Sequence, residues 1–456
     1  MTTAERKKRV ILCVYGAALL YYVLKLVYYA LCVGAFPDLY AHLSNLIEMT
    51  RRPALVPDFA ALPLYTVSGG EGATWTMAVL PGAVNYLGHP SLYYLLMLPL
   101  GAVKILSETA AQVDTLRLYL ANIFLTSCTT LLAFRLGYKV LKNQGPLVHG
   151  LYAAAIVTLP ELGYVGAGLN NDNLAYLGYV IFLAGLLRYG EDKLDLKTYG
   201  LISLGFFLGS FAKLTAALVM LLTLGAALVI SIFRTRSLKL ILNRAFPIVL
   251  PALGLFLAYE LIIHSRYGAW QPGLANVAPE YFKTTAFYIP PENRVILSLT
   301  GYLKKFITGI GHTWSSLYGH EERINVFMDN VWFGLVYWVP VLGAVIAMVL
   351  GWIRKKADTW TAPVVLGFLG TLLYHFYSNW SGHLRTGYLG GLQARYYLFL
   401  IVPFALIACR DLPPLLKTQR AKTAGAVLAV LLILCWLAGD APRLLIAAGL
   451  NPLEAL

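Results

Sequence analysis

The sequence predicts an all-helical polytopic membrane protein that crosses the bilayer about eleven times, with juxtamembrane helices on the outer face. Three observations predict this class. The 456 residues are 59% apolar and have a mean hydropathy of +0.67, well above the range of soluble domains. Apolar runs of roughly 20 residues, enough to span a hydrocarbon core about 30 Å thick, recur from end to end. Lys and Arg gather in short loops between those runs, so the formal charge of +14 reads as a topology signal. No basic amphipathic face or aromatic-interleaved patch points to nucleic acid.

At the N-terminus, Arg6, Lys7, Lys8 and Arg9 precede an apolar run too long for a signal peptide and lacking a small-residue cleavage site. That run is expected to stay as the first span, with the N-terminus in the cytoplasm. Arg135, Lys139 and Lys142 follow the run 115–134. They fall inside only if the earlier stretch 89–106 does not cross, which makes it a juxtamembrane or re-entrant helix on the outer face. The basic clusters Arg188 to Lys197, Arg234 to Arg244, Arg354 to Lys356 and Arg410 to Lys422 then all become cytoplasmic. The scheme places spans at 10–33, 115–134, 147–168, 172–188, 199–213, 215–233, 246–263, 326–352, 361–377, 395–409 and 422–438, with the C-terminus outside.

Residues 1–456 read as one transmembrane domain with three outer segments, 34–114, 264–325 and 378–394, rich in Tyr, Trp, His, Pro and Gly. No internal repeat is visible, so an inverted-repeat transporter gains no support. Cys13, Cys32, Cys128, Cys409 and Cys435 stand singly without CxxC spacing, which argues against a metal or disulfide framework. No metal site and no cofactor are expected. A divalent cation has only weak support, because the sequence lacks a second acidic cluster.

Function is expected on the outer side. Pro37 ends the first helix and leaves Asp38 at the membrane surface. A partly desolvated carboxylate there gains basicity and suits proton abstraction from an acceptor hydroxyl, though a helix cap is the plainer alternative. His89, before Pro90 and Ser91, is suited to bonding a donor phosphate or orienting Asp38. Tyr93 and Tyr94 follow, as a sugar or lipid wall or as interfacial anchors. Asn170-Asn171-Asp172-Asn173 holds more short polar side chains than a turn requires, and Asp172 is the second candidate catalytic carboxylate unless it simply caps a helix. Lys213, in Phe211-Ala212-Lys213-Leu214-Thr215, lies near the outer end of an apolar run. Its natural partner is a lipid phosphate, and snorkelling to headgroups is the alternative. Arg395, in Gln393-Ala394-Arg395-Tyr396-Tyr397, places a second cation at that depth, with a planar fork suited to phosphate oxygens. Arg385, His383 and His375 are nearby cations of lower rank.

The order PDLYAH after the first span, HPSLYYLL on the outer stretch, NNDN, FAKLTAA and QARYYLFLIVPFAL resembles the GT-C superfamily of membrane glycosyltransferases. It is most similar to bacterial relatives of the protein O-mannosyltransferase and lipid A aminoarabinose transferase group. The resemblance runs from about residue 30 to 410, through short motifs whose order is more specific than any one of them. It implies a GT-C-like fold and an inverting transfer from a polyprenyl-phosphate-linked sugar donor to a glycan, lipid or protein acceptor. It also implies a bacterial inner membrane, with the active site on the periplasmic face. On the matching positions, Asp38 is the general base and Lys213 and Arg395 hold the donor phosphate, with His89 added to them from its own place in the sequence. His42, Asn171 and Tyr396 in the same motifs, with Tyr93 and Tyr94, are expected to contact substrate. Two positions depart from the pattern: Leu39 stands where many members carry a second acid, and His89-Pro90-Ser91 replaces a Lys or Glu followed by two prolines. Trp270, Tyr281 and Trp314 are expected to shape an acceptor cleft or to anchor at the interface. A polymerase or ligase of polyprenyl-linked glycans would instead depend on His312, His320 and Arg323. A flippase of such glycans would need gating features on both faces.

Overall fold

The computed structural model describes residues 2–33, 36–236, 238, 242–315, 331–354 and 359–448, of which 331–333 and 441–448 are described in backbone only. The chain is predominantly helical, as its apolar runs predict. Helix α1 (Thr3–Cys32) opens with a capping box in which the Thr2 side chain accepts from Glu5 N and Glu5 accepts from Thr2 N. It buries Tyr15, Tyr22, Lys25, Leu26 and Tyr29 and leaves Leu12, Leu20, Leu24 and Leu31 more than half exposed. An apolar helix with bare leucines on its outer side is what lipid requires and water penalises.

The outer segment after α1 is more varied than its composition suggests. It holds α2 (Leu39–Arg51), strands β1 (Pro63–Glu71) and β2 (Thr74–Val84), α3 (Leu92–Met97), β3 (Val103–Ile105) and β4 (Ala110–Asp114). The strands form one antiparallel sheet in the order β1-β2-β4-β3. The stretch 89–106, expected to be a juxtamembrane or re-entrant helix, comprises the short α3, a 3-10 turn at Leu98–Leu100 and an edge strand. Pro99 and Gly101 lie where the helix stops, and Gly101 adopts a positive φ. Strand β4 runs directly into α4 (Thr115–Val140), where the Asp114 carboxylate caps the helix by accepting from Arg117 N at 2.9 Å.

Next come α5 (Pro146–Val157) and α6 (Pro160–Ala167), bent against each other by 55°, with Pro160 at the first position of the second helix. Helices α7 (Asp172–Gly190) and α8 (Leu196–Ser210) then pack backbone to backbone. A Cβ on Gly178 would lie 2.4 Å from Gly209 N, and one on Gly205 would lie 2.3 Å from Phe182 N. Glycine at these positions lets the two helices touch. Because α7 and α8 are joined by a short turn, that contact brings the start of α7 beside the end of α8. It thereby sets Asp172 next to Lys213, the residue preceding α9 (Leu214–Thr235).

The remainder comprises α10 (Leu250–Tyr267), the short α11 (Leu274–Val277) and α12 (Pro279–Phe282), α13 (Leu299–Thr313), α14 (Val331–Val336), α15 (Val339–Ile353), α16 (Thr361–Thr386), α17 (Ile401–Asp411) and α18 (Gln419–Ala448). Among the described residues, six helices are long and apolar enough to cross a membrane, or seven with the bent α5–α6 pair. These coincide with seven of the expected spans, and the chain is an integral membrane protein. The ranges 172–188, 199–213 and 361–377 are also helical, and so is most of 326–352 as far as it is described.

Candidate active site

Asp38 sits at the turn from α1 into α2 with φ 57° and ψ 23°, a left-handed conformation that Asp tolerates better than most residues. It holds the N-cap position of α2, yet its side chain makes no capping bond. Instead, the carboxylate accepts from the Arg395 guanidinium and, at 2.8 Å, from the Tyr86 hydroxyl. Arg395 lies in a 3-10 turn (Ala394–Leu400) ahead of α17. Tyr86 is held in place by its neighbour Asn85, whose amide donates to Ala41 O of α2 at 2.8 Å. Burial by itself would raise the Asp38 carboxyl. Arg395, then His42, and the hydrogen bonds from Arg395 and Tyr86 together outweigh it and hold the group well below the usual carboxylate range. The expectation that desolvation makes Asp38 a stronger base is therefore corrected for the protein as it stands: a cation in contact wins over burial.

The second carboxylate is built differently. Asn170 Oδ1 accepts from Asp172 N at 2.9 Å, and Asn173 Nδ2 donates to Asn122 Oδ1 at 2.8 Å, to Gly168 O at 3.1 Å and to Val165 O at 3.2 Å. Asn171 Nδ2 donates to Ala212 O at 2.6 Å, tying the turn to the residue before Lys213. The polar run thus wires the α6–α7 turn together. Asp172 accepts from the Lys213 ammonium with one oxygen, while its Oδ2 is buried without a partner among the described residues. Lys213 also lies 4.6 Å above the centre of the Tyr396 ring, a cation-π contact that fixes the ammonium beside Arg395.

One cavity of about 510 Å³ collects these groups. Asp38, His89, Lys213, Arg395 and Tyr396, all expected at the site, line it together. They come from widely separated parts of the chain. His89 is pushed down to about 3 by burial, then by Lys213 and His42. At physiological pH it is neutral and presents the cavity with a hydrogen-bonding group rather than a charge.

The other expected contacts stand behind the lining. Asp172 backs Lys213. His42 Nδ1 bonds the Tyr94 hydroxyl at 2.8 Å, and burial pushes this imidazole down to about 3. Tyr93 donates to Asn122 Oδ1 at 2.8 Å and accepts from Asn170 N at 3.0 Å. Tyr93 and Tyr94 are 0% and 1% exposed. In this structure His42, Tyr93, Tyr94 and Asn171 are therefore corrected from substrate contacts to the framework that seats α3 and the α6–α7 turn.

Sequence reasoning missed Tyr86, Gln271, Phe282, Phe287, Ser378 and Asn379, which line the cavity with Gln393 and His375. Gln393 stood inside a quoted motif and His375 was ranked low, but nothing local marks the others. Trp270, Tyr281 and Trp314 are absent from the lining. Trp270 stacks on His264, with ring centres 4.4 Å apart, and the buried Trp314 indole donates to Tyr337 O at 3.0 Å. His312 is exposed away from the cavity, and His383 accepts from Leu297 N at 3.0 Å. His320 and Arg323 lie outside the described residues. Among the described residues, no group of three or more His, Cys, Asp or Glu is placed to hold a metal ion.

No family model matches the chain, and no curated protein matches it in sequence. Among solved structures it is similar to ArnT from Cupriavidus metallidurans bound to undecaprenyl phosphate, at 13% identity and a TM-score of 0.47, covering 91% of this chain and 63% of that one. The same enzyme in the apo state gives 14% identity and a TM-score of 0.48, covering 91% and 62%. The chain thus spans less than two thirds of the length of these structures. ArnT is the lipid A aminoarabinose transferase. Likenesses this distant carry no conclusion about the chemistry of this chain, which is argued from its own residues.

Proposed function

We propose that this chain is an inverting glycosyltransferase of GT-C type. It moves a sugar from a polyprenyl-phosphate-linked donor to a hydroxyl acceptor at the outer face of a bacterial inner membrane. One observation carries this reading: Asp38, His89, Lys213 and Arg395, far apart in sequence, line one cavity. A transfer from a lipid phosphate asks for these parts, since a base must take the acceptor proton and cations must meet charge developing on the leaving phosphate.

In the proposed step, the acceptor oxygen attacks the anomeric carbon while the bond from that carbon to the phosphate oxygen breaks. The bonding pair passes to the phosphate, polyprenyl phosphate leaves, and the acceptor proton goes to Asp38. Lys213 and Arg395 hold the departing phosphate, with a hydrogen bond from neutral His89. Asp172 is a positioning residue, because it aims Lys213.

The Asp38–Arg395 pair makes the base conditional. While Arg395 is bound to Asp38 the carboxylate is a weak base. A donor phosphate that draws the guanidinium away removes the dominant opposing charge, and burial then raises the carboxyl towards a useful basicity. Proton abstraction is thereby coupled to donor binding.

The reading is tested by mass spectrometry of cell-envelope glycolipids, polymers and glycoproteins from a deletion strain carrying wild type or Asp38→Asn at matched expression. A sugar increment present only with wild type supports the transferase and identifies sugar and acceptor together. An increment equally present with Asp38→Asn removes Asp38 as base and brings the ligase, polymerase and flippase readings forward.

A further inference from the structure

The same cavity holds a second set of side chains that the transfer step does not use. Ser378 and Asn379 lie on the last turns of α16, and Gln271, Tyr388 and Gln393 come from neighbouring loops; all five line the cavity, and all are uncharged. Two of them are built in detail. Gly391 adopts φ +70°, and a Cβ there would lie 2.6 Å from Asn379 Nδ2. A left-handed glycine thus lets the amide rest against the loop, where it donates to Gly391 O at 3.4 Å. Gln393 Oε1 is buried without a partner among the described residues, an arrangement that is costly unless a ligand donor completes it.

The charges in the cavity are already committed. Lys213 bonds Asp172 behind the wall, and Arg395 bonds Asp38. Among the described lining residues Asp38 is the only carboxylate. A sugar ammonium would share the space with two cations, and the one lining carboxylate it could pair with, Asp38, would be taken from its role as base. A sugar carboxylate would compete with the donor phosphate for those cations. Hydroxyls, by contrast, match amides and phenols that both donate and accept. Gln393 lies two residues before Arg395, so this neutral set begins where the donor phosphate is held.

Resting on the transferase reading above, we infer that Ser378, Asn379 and Gln393 form the donor-sugar subsite and select an uncharged sugar against amino sugars and uronic acids. Asn379 and Gln393 hydrogen-bond its hydroxyls, so exchanging one amide for a carboxylate changes which charge the subsite accepts.

The test is equilibrium binding to the purified full-length protein. The probes are polyprenyl phosphate alone and polyprenyl phosphate carrying glucose, galactose, mannose, glucosamine or glucuronic acid, each with wild type and Asn379→Asp. The best neutral hexose is expected to bind at least about tenfold more tightly than either charged sugar, because a sugar charge in this cavity meets either like charge or a competing phosphate. Asn379→Asp is expected to narrow the gap between neutral sugar and glucosamine by about the same factor, each affinity being taken relative to polyprenyl phosphate alone with the same variant. Glucosamine or glucuronate bound as tightly as the best hexose by wild type overturns the inference and leaves the transferase reading standing. An unchanged ratio in Asn379→Asp overturns the assigned subsite. Failure of polyprenyl phosphate itself to bind overturns both.

Discussion

The Lys25–Asp440 pair and the Asp38–Arg395 pair join the same two chemistries in very different surroundings. Lys25 on α1 meets Asp440 on α18 at 2.8 Å with both side chains fully buried. The lysine also donates to Val157 O at 3.0 Å, and the Tyr21 hydroxyl donates to Asp440. Asp38 and Arg395 instead keep 22% and 9% of their side chains exposed, and both line the cavity. A closed pair has no competitor, so its attraction joins the first helix to the last. An open pair can exchange its partner for a ligand, which is the role proposed for Asp38 and Arg395. Access to the cavity separates a fastener from a candidate site.

The comparison is broken most forcefully at the closed pair. Asp440→Asn leaves Lys25 charged and buried without its carboxylate, and is expected to cost about 3 to 5 kcal/mol of stability. Thermal unfolding in detergent checks this, and Lys25→Met combined with Asp440→Leu should recover most of the loss. Lys213→Ala comes next. It removes one of the two cations proposed to hold the donor phosphate and should weaken donor affinity by about tenfold to a hundredfold, close to the strength of a charge-assisted hydrogen bond. It leaves Asp172 without its partner, so the protein is also expected to melt earlier.

Tyr86→Phe is a smaller change. It deletes the hydrogen bond from a neutral phenol to the ionised Asp38 carboxylate, worth about 1.5 to 3 kcal/mol, and should lower the transfer rate about tenfold with donor affinity unaltered. The smallest effect is that of pH on the open pair. A carboxyl whose folded value is depressed adds stability above its unfolded value, about pH 4, and loses it as pH falls towards the folded value. Asp38→Asn should accordingly flatten the acid limb of a melting-temperature profile below about pH 4. His89, pushed down to about 3, should add no inflection to the pH-rate profile near its ordinary value.

The helical class and much of the charged site were legible because each rests on a local signal. Apolar length reports a span, and a lone Lys213 or Arg395 at the end of an apolar run is conspicuous. The sheet was not legible. β3 and β4 are short, β1 and β2 are interrupted by Gly and Pro, and all four are embedded in a chain whose composition favours helix, so their alternation was masked. Tyr93 and Tyr94 looked like wall residues because interfacial aromatics usually face outward, whereas packing of α3 turns them inward onto Asn122 and His42. The basicity of Asp38 was misjudged for the plainest reason. Its controlling charge, Arg395, is 357 residues away in sequence, and only the fold brings the two together.

The central claim is that Arg395 belongs to Asp38 until a donor phosphate takes it. It is tested most directly by measuring, with the purified protein, both polyprenyl-phosphate-sugar affinity and sugar release for wild type and Asp38→Asn. Asp38→Asn is expected to bind donor at least as tightly, since the guanidinium no longer has a carboxylate to leave, while transfer falls by about 10²- to 10⁴-fold with the base gone. Transfer at the wild-type rate, or donor binding lost together with transfer in a protein that still folds, would contradict it.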